Sequence, residues 1–197
     1  MNHRLILTDA DGVLLDWEWA FSVWMQERGY TLTADNKKSY FLHHHYNELE
    51  EKDAKKVVKT FNESAAVGFL PALRDAAYYV KRLYEEHGYQ FRVITSLSLD
   101  RNAAKLREMN LNKLFGNAIE SVICLDTGAD KDTALEFYRD SGMWWFEDKI
   151  ENAIVGHEMG LNSVLIEHGH NMTFEHPNIP RVKNWKEIYN LITNATH

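Results

Sequence analysis

Two aspartates one residue apart, Asp9 and Asp11, close the apolar run Leu5-Ile6-Leu7-Thr8 and lead into Gly12. Carboxylates placed there project beyond the end of a strand, and both are expensive to desolvate without a cation. Alone, the pair also fits an ordinary Asp/Gly turn. Three other places change that weighing. Thr95 and Ser96 end the run Val93-Ile94, bringing hydroxyls and free backbone N–H groups. Lys131 opens a later helical pattern, where a cation opposes the helix dipole and a merely solvated lysine is the plain alternative. Glu147 and Asp148 follow Trp144-Trp145-Phe146, with helix capping as their plain alternative. Carboxylates, hydroxyls, a lysine and carboxylates again thus arrive in order at successive strand ends, which chance placement does not readily produce.

The elements that must position these groups are short. Five apolar runs, Leu5–Thr8, Phe91–Thr95, Ser121–Leu125, Trp144–Phe146 and Ser163–Ile166, are β-branched or aromatic and nearly continuous. Such runs are expected of strands covered on both faces. Helical spacing lies between them: Leu73, Ala77, Val80 and Leu83–Tyr84 with Gly88 as the stop, then Arg101–Met109, Lys131–Arg139 and Ile150–Met159. Alternation of this kind predicts a parallel sheet with right-handed crossovers, whose ligands sit beyond the carboxyl ends of the strands. Residues 9–90 separate the first two runs, far more than a crossover requires. Within them Trp17, Phe21, Trp24 and Met25 share a helical face, Glu48–Phe61 is helical in character, and Pro71 marks the return. Residues 16–70 therefore read as a helical insertion lying over the strand ends.

With 197 residues, 45% hydrophobic and 12% aromatic, the chain can bury one core plus a modest insertion. Twenty-two Lys and Arg against 29 Asp and Glu leave a net charge of −7. An acidic surface argues against binding long nucleic acid, but a small phosphorylated substrate remains compatible with a locally cationic pocket. Cys124, the one cysteine, excludes an internal disulfide and a Cys-based zinc cluster, and reads as core packing. No apolar stretch approaches the ~18 residues of a membrane span, and no leader is visible, so the expectation is a cytoplasmic protein, monomeric or homodimeric, without a membrane partner. His43-His44-His45 point about 100° apart on a helix and cannot chelate one ion together. His168 and His170 fit either the rim of a ligand site or plain loop polarity.

Taken in order along the chain, the four motifs resemble those of the haloacid dehalogenase-like phosphohydrolase superfamily. The resemblance spans the whole chain, though each motif is only a few residues long. It implies an α/β fold: a Rossmann-like parallel-sheet core, 1–15 and 71–197, with a helical C1-type cap, 16–70, inserted after the first strand. It also implies a Mg²⁺-dependent phosphomonoester hydrolase acting through an aspartyl-phosphate. Asp9 would be the nucleophile and Asp11 the general acid/base. Thr95, Ser96 and Lys131 would bind the phosphate. Asp9, Asp148 and the main-chain carbonyl of Asp11 would hold the metal, with Glu147 beside them. Two unit charges 4 Å apart repel by about 4 kcal/mol at an effective dielectric near 20, so Mg²⁺ and Lys131 would offset carboxylate attack on a phosphate.

Between Thr95 and Lys131 there is room for one helix and one strand, so selectivity would come from residues 16–70. Several segments there resemble the deoxyribonucleotidases: Asp11-Gly12-Val13-Leu14-Leu15-Asp16-Trp17, Lys38-Ser39-Tyr40-Phe41, Tyr46 and Gly68-Phe69-Leu70-Pro71, with Asn184-Trp185-Lys186-Glu187-Ile188 later. By that likeness Trp17, Tyr40 and Phe41 would stack on the base of a nucleoside monophosphate; the alternative is that they pack the cap. The chain departs from that family in the spacing from Lys131 to Asp148 and in Leu97, where the family has proline. Two other readings stay open: a phosphatase of the same superfamily for sugar or organic-acid phosphates, and a binding or regulatory protein that has kept the fold without turnover.

Overall fold

The computed structural model describes residues 4–34 and 39–195. Six strands form one all-parallel sheet: β1 (Leu5–Thr8), β2 (Gln90–Ser96), β3 (Ile119–Leu125), β4 (Trp144–Glu147), β5 (Asn162–Ile166) and β6 (Arg181–Val182). Their order across the sheet is β3-β2-β1-β4-β5-β6. The seven α-helices among the described residues are α1 (Trp17–Gln26), α2 (Glu51–Asn62), α3 (Ala76–His87), α4 (Arg101–Phe115), α5 (Asp132–Leu135), α6 (Ile150–Glu158) and α7 (Trp185–Asn194).

The near-continuous apolar strands have the predicted cause. Ile6, Phe91, Val93, Phe146 and Val164 belong to the large cluster that includes α3 and α7, whereas Leu7, Ile94 and Trp145 pack on the other face with Leu135, Met159 and Leu161. Neighbouring residues of a strand thus enter different layers, and each layer must be apolar. Trp185 is fully buried and donates its indole N–H to the Val13 carbonyl at 2.8 Å, tying α7 beneath the loop that follows β1. Asp16 and Asp100 accept backbone N–H groups at the starts of α1 and α4.

Chain direction reverses its progress across the sheet between β1 and β4. From β1 the chain builds outward through β2 and β3, then returns to place β4 on the other side of β1. The loops after β1 and β4 diverge there and leave a crevice, which is where open α/β sheets hold ligands. Asp9 follows β1 and donates its backbone N–H to the Phe146 carbonyl at 2.9 Å, fixing the two strand ends side by side. The described residues of 16–70 hold α1, α2 and two 3₁₀ turns. In α1, Phe21, Trp24 and Met25 are buried as their spacing predicts.

The structure differs from the sequence expectations at four places. The helix beginning at Arg101 runs to Phe115 rather than Met109, because Leu111 and Phe115 continue its buried face. The expected helix Lys131–Arg139 is a single α turn, Asp132–Leu135, running into a 3₁₀ turn, Glu136–Tyr138. Strand β6 is only two residues long, too short to carry periodicity. His43 and His44 end a 3₁₀ turn, Leu42–His44, rather than lying on an α-helix.

Candidate active site

The crevice holds the strand-end groups in a cavity of about 470 Å³, lined by Asp9, Asp11, Thr95, Ser96, Lys131 and Asp148 on the sheet side. At its centre Lys131 is 1% exposed, with its Nζ 2.6 Å from Asp9 Oδ2 and 2.6 Å from Glu147 Oε1. Burial works against the lysine's charge, but Asp9 and Glu147 outweigh it and hold its pKa above the ordinary lysine value. This is no solvated helix-start lysine.

Glu147 is fully buried and its acceptors are committed. Oε1 accepts from Lys131 and from Asn152 Nδ2 at 2.7 Å; Oε2 accepts the backbone N–H groups of Asp148 at 2.8 Å and Lys149 at 2.9 Å. Burial opposes its charge, yet Lys131 and these donors hold its pKa below the usual carboxylate range. Glu147 therefore fixes Lys131 and the turn into α6. The other two carboxylates lack such compensation. Burial, with Glu147 and Asp11 nearby, pushes Asp9 up to about 7 despite Lys131. Burial, Glu147 and Asp9 raise Asp148 well above its ordinary value.

Ligand oxygens of Asp9, Glu147 and Asp148 lie within 4.8 Å of one another. Because the Glu147 oxygens are taken, Asp9 and Asp148 are the side chains available to a cation. An all-oxygen set with more carboxylate than cation fits a small divalent ion that retains water ligands, such as Mg²⁺. Gly12 permits this packing. Its φ is +73°, and a Cβ there would stand 2.5 Å from Asp148 Oδ2.

Thr95 and Ser96 differ in their availability. The Thr95 hydroxyl is buried with no hydrogen-bond partner. Ser96 Oγ donates to the Ala129 carbonyl at 2.7 Å, which leaves it only as an acceptor in this arrangement. A phosphoryl oxygen requires donors, so Thr95 is the better placed of the two. Asp11 turns from Asp9 toward Arg107 of α4, whose Nη1 and Nη2 bind its two carboxylate oxygens. Sequence reasoning missed Arg107. The available signal was its place on the apolar face of α4, one turn from both Ala103 and Leu111.

The two loop histidines also have defined contacts. His168 Nε2 lies 2.6 Å from the Gly12 carbonyl, and burial lowers its pKa to about 4, so the neutral ring donates. His170 Nε2 and Asn171 Nδ2 both reach the Asp148 carbonyl, at 3.0 and 2.8 Å. The imidazoles stack at 5.6 Å and 8°. Together they tie the loop after β5 to the loops carrying Asp11-Gly12 and Asp148.

The facing wall comes from residues 16–70. Trp17 stacks on Phe21 at 4.5 Å and donates its indole N–H to Asn62 Oδ1 at 3.0 Å, while still lining the cavity. Asn62 in turn donates to the Leu97 carbonyl, linking α2 to the loop after β2. Tyr40 and Phe41 also line the cavity and are 51% and 62% exposed. Lys38 lies outside the described residues. His45 is buried, with Nε2 2.6 Å from the Ser39 carbonyl. Lys55 and Lys149 add cations to the lining. Cys124 is partly buried, and burial raises its pKa.

Structural comparison shows that solved haloacid dehalogenase-like hydrolases share this fold. A haloacid dehalogenase-like family hydrolase of Streptococcus pneumoniae superposes with a TM-score of 0.64, covering 98% of this chain and 100% of its own at 12% identity. An L-2-haloacid dehalogenase gives 0.62 at 11% identity, covering 96% and 99%. A D,D-heptose 1,7-bisphosphate phosphatase of Burkholderia thailandensis gives 0.56 at 12%, covering 96% and 98%. In sequence, the chain is 26% identical over 131 residues to an uncharacterised 32.4 kDa protein of Enterobacteria phage T4. The match takes in 64% of this chain and 46% of that protein, so the chain spans about half the length of the curated relative it matches. No family model matches the sequence. No helix among the described residues is long and apolar enough to cross a membrane.

Proposed function

We propose that the chain is a Mg²⁺-dependent phosphomonoester hydrolase in which Asp9 is the nucleophile and nucleoside monophosphates are the substrates. The observation that carries this reading is the placement of Asp9 between a buried lysine and a second carboxylate, Asp148, at the β1/β4 crevice. Asp9 Oδ1 accepts the Ala10 N–H at 2.6 Å and Oδ2 faces Lys131, so the carboxylate is aimed before a substrate arrives. An Asp9 oxygen attacks phosphorus, forming a P–O bond as the bond to the leaving oxygen breaks. Asp11 gives that oxygen a proton. Water then attacks the aspartyl-phosphate, Asp11 takes its proton, and Asp9 is released with phosphate. Lys131 and the Thr95 hydroxyl hold phosphoryl oxygens throughout. A bound Mg²⁺, held by Asp9, Asp148 and the Asp11 carbonyl, would supply positive charge where phosphoryl charge collects.

In this reading residues 16–70 are a cap over a core of 1–15 and 71–197, and Trp17, Tyr40 and Phe41 are a stacking wall for a base. Their exposure to the cavity supports stacking. Lys55 on that wall and Lys149, next to Asp148 on the sheet side, support a second reading, a substrate bearing another anionic group, such as a sugar bisphosphate or an organic-acid phosphate. Phosphate release from a panel of nucleotides, sugar phosphates and an aryl phosphate, with and without Mg²⁺, separates them. Mg²⁺-dependent release led by nucleotides is the expected result. Release led by doubly anionic substrates would keep the chemistry and discard base stacking. No release from any member would favour a binding protein built on the fold.

A further inference from the structure

Arg107 has no ordinary reason to be where it is. Its side chain is completely buried in the middle of α4, on the face shared with Ala103 and Leu111. Its two terminal nitrogens meet Asp11 and its Nε has no partner. A guanidinium withdrawn from water is costly, and here one carboxylate supplies its compensation. That carboxylate is itself 22% exposed and lines the cavity.

We propose that Arg107 is a positioning residue that sets the plane of the Asp11 carboxyl group for proton transfer, an inference resting on the acid/base role given to Asp11 above. The torsion that turns an aspartate's carboxyl plane is soft and roughly two-fold, so Asp11 beside open solvent would sample many orientations. A planar fork bonded to both oxygens removes that freedom, which a point charge such as lysine does not. The two oxygens offer about four lone-pair sites and the fork takes two, leaving one on each oxygen for a partner in the cavity. Asp11 can thus exchange a proton with the leaving oxygen, and later with water, while Arg107 keeps its grip.

The test uses leaving groups. An aryl phosphate such as p-nitrophenyl phosphate departs with little need of a proton, whereas an alkyl phosphate such as a nucleoside 5′-monophosphate requires one. Read as kcat/KM, which reports the steps through leaving-group departure and not the hydrolysis of the aspartyl-phosphate common to both esters, loss of Asp11 in Asp11→Asn is expected to cost the alkyl ester about 100-fold more than the aryl ester, within the usual range for acid–base catalysis, and every loss below is read the same way. Arg107→Met is expected to copy this selectivity, with roughly a tenfold or greater loss on the alkyl ester and little on the aryl ester. Arg107→Lys, which keeps the charge and is the safer variant for folding, should show the same selectivity to a smaller degree. Added to Asp11→Asn, either Arg107 variant should cause no further selective loss. Equal losses on both esters, additive losses in the double variant, or full alkyl-ester activity in Arg107→Lys would each overturn the proposal and leave Arg107 a packing residue. Absence of leaving-group selectivity in Asp11→Asn itself would instead refute the acid role of Asp11. Thermal melting of each variant separates these outcomes from unfolding.

Discussion

The two walls of the cavity are built on opposite principles. On the sheet side Lys131 and Glu147 are buried, and each Glu147 oxygen has its donors. Opposite them Tyr40 and Phe41 stand half-open or more, with ring contacts to His170, His43 and His44. A charge network in a low dielectric tolerates almost no displacement, because an unpaired member is costly. Aromatic contacts are individually weak and less directional, and such a wall can be altered without dismantling the other. Under the proposed function, the chemistry and the choice of substrate would fall to physically separate parts of one cavity.

That contrast can be broken from either side. The largest effect is expected at the nucleophile: Asp9→Asn should lower turnover by at least about a thousandfold while the melting transition persists, since an amide keeps the shape but not the nucleophilicity. Phosphate release and thermal melting on the same sample check it. Next is Lys131→Met, which strands Asp9 and Glu147 without their shared cation. It should destabilise the metal-free protein by about 3–5 kcal/mol in urea denaturation.

A smaller effect is expected at His168, on the sheet side. Its pKa lies near 4 in the fold, below the 6.5 of an exposed ring, so the unfolded chain takes up the proton first as pH falls. Stability from the neutral ring is complete above about pH 6.5 and is lost progressively down to about 4, amounting to roughly 3 kcal/mol. His168→Gln should be less stable at pH 7 and should show a flatter pH dependence through that window. The smallest effects belong to the aromatic wall. Trp17→Ala and Phe41→Ala should each cost about 1–2 kcal/mol in kcat/KM for nucleotides, at the lower end of base stacking, and less for an aryl phosphate. Equal losses on both would mean that these rings only hold residues 16–70 together.

The same contrast explains what could be read from the chain. Asp9, Lys131 and Asp148 were legible because each directly follows an apolar run or opens the next helix, so local pattern and site coincide. The strand runs were legible because residues such as Ile6 and Leu7 enter opposite buried layers. For Arg107 only burial was legible, from its place on an apolar helix face, since nothing near it in sequence shows that this face meets Asp11. His168 and His170 act through the carbonyls of Gly12 and Asp148, and a carbonyl leaves no mark on the sequence. Strand β6 owes its existence to pairing with β5, in the register Leu165 to Arg181 and Ile166 to Val182, rather than to its own pattern.

The most direct test of the account is acid quenching of the protein during turnover of a nucleoside monophosphate with Mg²⁺, followed by mass spectrometry of the peptide carrying Asp9. A phosphoryl adduct on Asp9, absent from Asp9→Asn, is the predicted result. Turnover that proceeds without an adduct and persists in Asp9→Asn would contradict it.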